Sequence, residues 1–200
     1  MNGSNFRKNG NTSNRKWGNI TPTQCFSRGL LELLETHNLK EITLSRVSDA
    51  CGYGRATFYR YFDDLYDLLS KCWSSLGLDF RVNAKELLEA AQWALAMFDR
   101  LFMQLESSSR SLAAIARRNP PTGRVGCSLN CYLEQGVLAS EQRFLGAAKR
   151  SSQAGVVSLH VARTIAMMLT CCFYSDEPLL RKEAEHDLLY LLRTVTWDMR

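Results

Sequence analysis

A chain of 200 residues, 46% apolar and 22% charged, is long enough to bury a core of its own and needs neither metals nor disulfides to hold it together. That composition excludes a disordered tail and a disulfide-stapled miniature scaffold. The formal charge of +5 is uneven: residues 1–62 carry nine basic against four acidic side chains, the remaining 138 are neutral in sum, and a basic front on a neutral body suits an anionic polymer as partner.

Four prolines, two of them adjacent at Pro120 and Pro121, leave long stretches free to be helical, so the expected fold is all-α. Seven cysteines, at 25, 51, 72, 127, 131, 171 and 172, are odd in number and fall within apolar helical patterns. They read as buried reduced thiols. The polar N-terminus has no apolar run of the kind that directs secretion, so a cytoplasmic protein is expected. The most apolar stretch, "VVSLHVARTIAMMLTCCFY" (156–174), contains His160, Arg163 and Thr164 and reads as a buried helix, not a membrane span.

Residues 1–19 are Asn, Gly, Ser and basic residues with little to bury, which predicts a flexible basic arm. The first helix follows in "TPTQCFSRGLLELLETHN", where Thr21 can cap, Pro22 fits the first turn, and Phe26, Leu30, Leu33 and Leu34 recur at helical spacing. Asn38 reads as a left-handed stop. A second helix opens at Thr43 and buries Leu44, Val47 and Cys51, and Gly52-Tyr53-Gly54 breaks it. A third is expected over Arg55 to Phe62, and a fourth is expected to start at Asp63 or Asp64 and carry Leu65, Leu68, Leu69, Cys72, Trp73 and Leu76. Longer helices are predicted over 82–106, 111–119, 127–152, 156–174 and 178–198, with "PPTGRVG" as the clearest loop.

A helix of eight residues cannot sustain itself by backbone hydrogen bonding alone. In "RATFYRYF", Phe58 and Phe62 supply an anchoring face four residues apart. The other face presents Arg55, Thr57, Tyr59, Arg60 and Tyr61, whose guanidinium and hydroxyl groups can donate to phosphate oxygens and base edges. Such a surface suits a helix lying in a major groove. No P-loop, Gly-x-Ser-x-Gly or His-Glu-x-x-His pattern occurs, and "GYGR" lacks the preceding strand of a dinucleotide fingerprint, so no enzyme is expected.

The segment "TLSRVSDACGYGRATFYRYFDDLYDLL" (43–69) resembles the signature of the TetR (tetracycline-repressor-type) family of helix-turn-helix regulators, with Gly52, Thr57, Phe58, Tyr59, Phe62, Leu68 and Leu69 matching as they stand. The resemblance covers roughly residues 20–76. It implies that Thr43, Thr57 and Tyr59 bind phosphates and that Ser45, Tyr53, Gly54, Arg55 and Arg60 lie where base or backbone contacts are made. Cys51 and Gly54 stand where the family more often has Ala and a hydroxyl residue, and Leu65 stands where a phosphate-binding Lys is common; Gly54 leaves the recognition helix poorly capped.

Carried further, the resemblance implies a transcriptional regulator, with residues 20–78 binding double-stranded operator DNA and residues 79–200 forming an effector-binding and dimerisation domain. It implies a repressor that an unidentified small-molecule inducer releases from a palindrome, bound as a homodimer. The last two helices are apolar enough to be its interface. A chromosome-bound interaction protein, using the same module to recruit a protein partner, is the alternative. Trp93, Met97, Phe98, Phe102, Tyr132, Phe144, His160, Met167 and Tyr174 are candidates to line an inducer pocket, although helical spacing makes most of them plain core. The three histidines are scattered and Cys127-x-x-x-Cys131 lacks a second pair, so no metal and no cofactor are expected.

Overall fold

The computed structural model describes residues 20–82, 90–145, 152–175 and 177–197. Among these residues there are nine α-helices and no strands. The expected arm, residues 1–19, lies outside them.

Helix α1 (Pro22–Thr36) starts in a capping box: the Gln24 amide donates to Thr21 Oγ1 at 3.3 Å and the Thr21 amide donates to Gln24 Oε1 at 3.0 Å. It buries Cys25, Phe26, Leu30 and Leu34. The expected left-handed stop at Asn38 is corrected. Its φ is −70°, and its side chain accepts from the Lys40 amide at 3.0 Å, so it begins the short 3-10 turn Leu39–Glu41 instead of ending α1. Asn serves both purposes because the same short amide can cap an N-terminus or tolerate positive φ.

Helix α2 (Leu44–Cys51) is capped by Thr43 and closed by Gly52, whose φ of 66° is a left-handed conformation that favours glycine. Helix α3 (Arg55–Phe58) is shorter than the expected 55–62. Its backbone continues in turns, with Phe62 N donating to Phe58 O at 3.1 Å. Helix α4 (Leu65–Cys72) begins at Asp64, whose Oδ1 accepts from the Tyr66 and Asp67 amides at 2.8 Å each. The 3-10 turn Trp73–Leu76 completes this front unit.

The body comprises α5 (Ala90–Glu106), α6 (Ser109–Arg118), α7 (Arg124–Leu145), α8 (Ser152–Phe173) and α9 (Arg181–Trp197). Helix α7 therefore starts three residues before the expected 127, while α8 starts four before 156 and α9 three after 178. Hydrogen bonds from Asn130 Nδ2 to Thr170 Oγ1 (3.2 Å) and from Arg163 Nε to Glu134 Oε1 (3.0 Å) set α7 and α8 side by side and antiparallel. Gly155–Phe173 is long and apolar enough to cross a membrane by length and composition, but it packs between α7, α9 and α5 as a core helix.

Front unit and body meet along α1, α4, α6 and α7. Trp73, fully buried, donates its indole N–H to Ser128 Oγ at 3.0 Å. Asn119 is the polar hub of the joint. Its Oδ1 accepts from the Leu39 amide at 2.8 Å, its Nδ2 donates to His37 O at 3.3 Å, and its own carbonyl accepts the Tyr174 hydroxyl at 2.8 Å. Asn38 Nδ2 adds a bond to Arg118 O at 2.6 Å. Phe80, on the segment leading out of the front unit, lies against Gly136 of α7 so closely that a Cβ there would sit 2.4 Å from its ring and the ring would have to move.

The cysteines divide. Cys25, Cys51, Cys72 and Cys172 are buried as expected, but Cys127, Cys131 and Cys171 are exposed, the first two one turn apart on the outer side of α7. Burial raises the thiol of Cys25, that of Cys72 well above its ordinary range, and that of Cys172 to about 11. Those three therefore hold their protons. Glu141 on α7 is 95% hidden, with one carboxylate oxygen unpartnered, and burial pushes its carboxyl up to about 7 despite a hydrogen bond from Ser158 of α8.

Candidate nucleic-acid interface

The outward surface of the front unit is set by what lies beneath it. Phe58, with no exposed area, meets Phe26 of α1 edge-on, with ring centroids 5.3 Å apart. Phe62 packs on Phe58 at 5.4 Å and on Phe26 at 6.1 Å. Burying such rings contributes roughly 1.5–3 kcal/mol each. This triad fixes a segment too short to be a stable helix by itself, and fixing it decides which side chains face out.

Arg55, Ala56, Tyr59, Arg60 and Tyr61 are exposed, and Tyr59 retains 61% of its accessible surface. A phenol and two guanidinium groups thus stand at the surface, where their donors are accessible to an acceptor outside the molecule. The Arg55 guanidinium hydrogen-bonds to Ser45 Oγ, which ties the start of α3 to the first turn of α2. Tyr59 lies one helical turn after Arg55, on the same side, and its ring is edge-on to Phe58 at 5.5 Å.

Thr43 is exposed, and its Oγ1 already accepts the Arg46 amide at 3.4 Å, so the hydroxyl proton points to a further acceptor. Thr57 is half-buried. Tyr53 is half-buried too, with its ring 5.8 Å from Phe26. Gly54, exposed at the start of α3, provides no side-chain cap, and a Cβ there would meet nothing within 4 Å. The structure thus joins Arg55 to Ser45 across the α2–α3 turn, leaves Thr43, Gly54, Tyr59 and Arg60 exposed, and sets Tyr53 and Thr57 deeper.

Two exposed residues outside the predicted set share this region: Arg46, which follows Ser45 on α2, and Tyr61, after Arg60. The pattern of α2 already contained the first of these, because burying Val47 and Cys51 turns position 46 outward. Beside them an open cleft of about 370 Å³ is lined by Thr23, Gln24, Arg28, Tyr61 and Lys71. Arg28, Arg46, Arg55 and Arg60 enter no ion pair among the described residues, whereas Lys71 is held by Asp67 at 2.8 Å. That ammonium keeps the Asp67 carboxyl below its ordinary range.

The nine predicted pocket residues do not share one environment. Trp93, Met97, Phe98 and Tyr174 are buried, Phe102 and Tyr132 are half-buried, and His160 and Met167 are exposed on the outer side of α8. The Phe144 side chain lies outside the described residues. Phe102 stacks on Phe173 at 4.7 Å, and Tyr132 meets Phe80 edge-on at 5.7 Å. Among the described residues no group of three or more His, Cys, Asp or Glu could hold a metal ion.

Residues 28–72 match the profile described as bacterial regulatory proteins, tetR family. A solved structure of a tetR-family transcriptional regulator from Streptomyces coelicolor superposes with a TM-score of 0.53 at 17% identity, over 88% of this chain and 80% of that one. At that identity the likeness shows the fold. No curated protein sequence matches.

Proposed function

We propose that this chain, whose residues 28–72 match the tetR-family profile, is a cytoplasmic DNA-binding repressor released from a palindromic operator by a small-molecule inducer. The observation that carries this reading is the segment Arg55–Tyr61, anchored from below by Phe58 and Phe62 and presenting above exposed guanidinium and phenol groups that enter no ion pair among the described residues. Residues 20–78 form the operator-binding unit in this reading, and residues 79–200 the sensing and dimerising body.

Thr43, Thr57 and Tyr59 are proposed to bind phosphates, and Ser45, Tyr53, Gly54, Arg55 and Arg60 to approach bases or the adjoining backbone. Arg46 joins them as a phosphate contact. One such helix reads few base pairs, so two copies related by a two-fold axis must address half-sites about one helical turn apart. Val156 and Met167 on α8, Leu180 just before α9 and Tyr190 on α9 are exposed. These exposed apolar side chains support a homodimer through the last two helices. An inducer that prefers a dimer with the wrong half-site spacing lowers operator affinity by its discrimination between the two shapes, typically ~1–3 kcal/mol.

The test is titration of DNA fragments from the native gene neighbourhood at two salt concentrations. Tight, sequence-selective binding that weakens steeply with salt is expected. Weak binding indifferent to sequence would point instead to a chromosome-bound interaction protein that recruits a protein partner.

A further inference from the structure

A second open cleft, of about 510 Å³, lies where the front unit meets the body, with Asn38, Lys40 and Tyr66 on one wall and Asn119, Thr122 and Arg124 on the other. Its size falls in the range of small-molecule sites. Its charge is one-sided: no carboxylate lines it, and neither Lys40 nor Arg124 enters an ion pair among the described residues. Elsewhere in the body, Arg81, Arg100, Arg163 and Arg181 each hold a carboxylate.

The Arg124 guanidinium lies over the Tyr66 ring, 4.5 Å from its centroid. That contact orders the group without using its N–H donors, so a planar fork stands ready for a bidentate acceptor. Asn38 and Asn119 are already committed to the joint between the two units, which leaves the Lys40 ammonium and the Tyr66 and Thr122 hydroxyls as the other open donors.

We propose that this cleft binds a small organic anion, whose phosphate or carboxylate group is gripped by Arg124 and Lys40. The two walls belong to different units, so the bound anion bridges them at the joint held by Asn119. That hub also receives the Tyr174 hydroxyl from beyond the end of α8, which places the cleft beside the connection between body and front unit. The site is distinct from the interior of the body, where the inducer is proposed to act. It rests on the cleft's own geometry and not on the operator reading.

The experiment is an NMR titration of the full-length protein with inorganic phosphate, then with citrate, at constant ionic strength set by chloride. Saturable shifts of the Lys40, Thr122 and Arg124 amides are expected, and R124Q or K40Q should each weaken the midpoint by about tenfold. Both positions are exposed, so the melting temperature of each variant in chloride alone should equal that of the parent. The anion with the lower midpoint identifies the favoured head group. Linear or absent shifts in the parent protein, or midpoints unchanged in both variants, would overturn the proposal. Displacement of the anion by a duplex of unrelated sequence would overturn it too, because the cleft would then be part of a grip on the DNA backbone.

Discussion

Among the described residues the front unit pairs one cation, Lys71, and leaves Arg28, Lys40, Arg46, Arg55 and Arg60 without a carboxylate, while the body ties Arg81, Arg100, Arg163 and Arg181 to carboxylates and leaves Arg124 open. On the front unit, Arg46, Arg55 and Arg60 are exposed without an ion pair among the described residues, while in the body Arg100 grips Asp79 at 2.5 Å, Arg163 grips Glu134 at 3.0 Å and Arg181 joins Asp99 to Glu185 at 2.9 and 2.7 Å. Arg81 and Arg100 together hold the Asp79 carboxyl well below the usual carboxylate range. The difference shows where the molecule keeps its unspent electrostatics. Charge that is paired internally serves the fold, and charge left open on a rigid platform serves an external anion.

The largest effect should come from removing the platform itself. Phe58→Ala leaves a void beneath α3 and is expected to cost about 3–5 kcal/mol in denaturant unfolding, abolishing DNA binding as well. Retention of operator affinity in a destabilised Phe58→Ala protein would show that the outward segment does not need this anchor.

Next comes the buried carboxyl of the body. Folded Glu141 keeps its proton up to about pH 7, whereas an ordinary glutamate releases it near 4.5. Its favourable neutral state is therefore fully available below about pH 4.5, and stability falls as pH rises from there through 7. Glu141→Gln should flatten that slope and add ~1–3 kcal/mol above pH 7, read from urea melts at pH 5 and pH 8. Identical slopes in the two proteins would mean that Glu141 finds a partner on ionising.

A matched pair of arginines sharpens the contrast directly. Arg60→Ala should lose ~1–3 kcal/mol of operator binding and relax selectivity with no change in melting temperature. Arg163→Ala should do the reverse, costing at most about 1 kcal/mol of stability because its pair with Glu134 is solvent-exposed, and leaving DNA binding untouched. If Arg60→Ala changes stability alone, its guanidinium serves the protein and not the groove. The smallest change is Gly54→Ser: with space for a side chain and an extended φ of −70°, a serine cap on α3 should add a few tenths of a kcal/mol, detectable as a slight rise in melting temperature.

The two regions also differ in how far their sequence could be read. In the front unit the helices are short and each is bounded by residues with a specific backbone role, so Thr21, Thr43, Gly52 and Asp64 marked boundaries that the structure reproduces. Asn38 was ambiguous because its two roles call for the same residue type. The body helices are apolar around much of their circumference, which erases the periodic contrast that locates an end; hence the starts expected at 127 and 178 fall at Arg124 and Arg181. The same broad apolarity gave no warning that His160 and Met167 would face outward. Within the candidate interface, Arg55 to Tyr61 could be oriented from Phe58 and Phe62, but the Arg55–Ser45 contact required the turn geometry. The hub at Asn119 was invisible for another reason: its partners are mostly backbone groups some 80 positions away, and backbone groups leave no trace in residue identity.

The indole of Trp73 is sealed at the seam between the two units, and its one hydrogen bond reaches across to Ser128. Any swing of the front unit relative to the body must stretch that bond and let water reach the ring. The protein therefore carries at this seam an intrinsic fluorophore, one of four tryptophans, whose emission reports on the pose of the front unit once the other three are replaced.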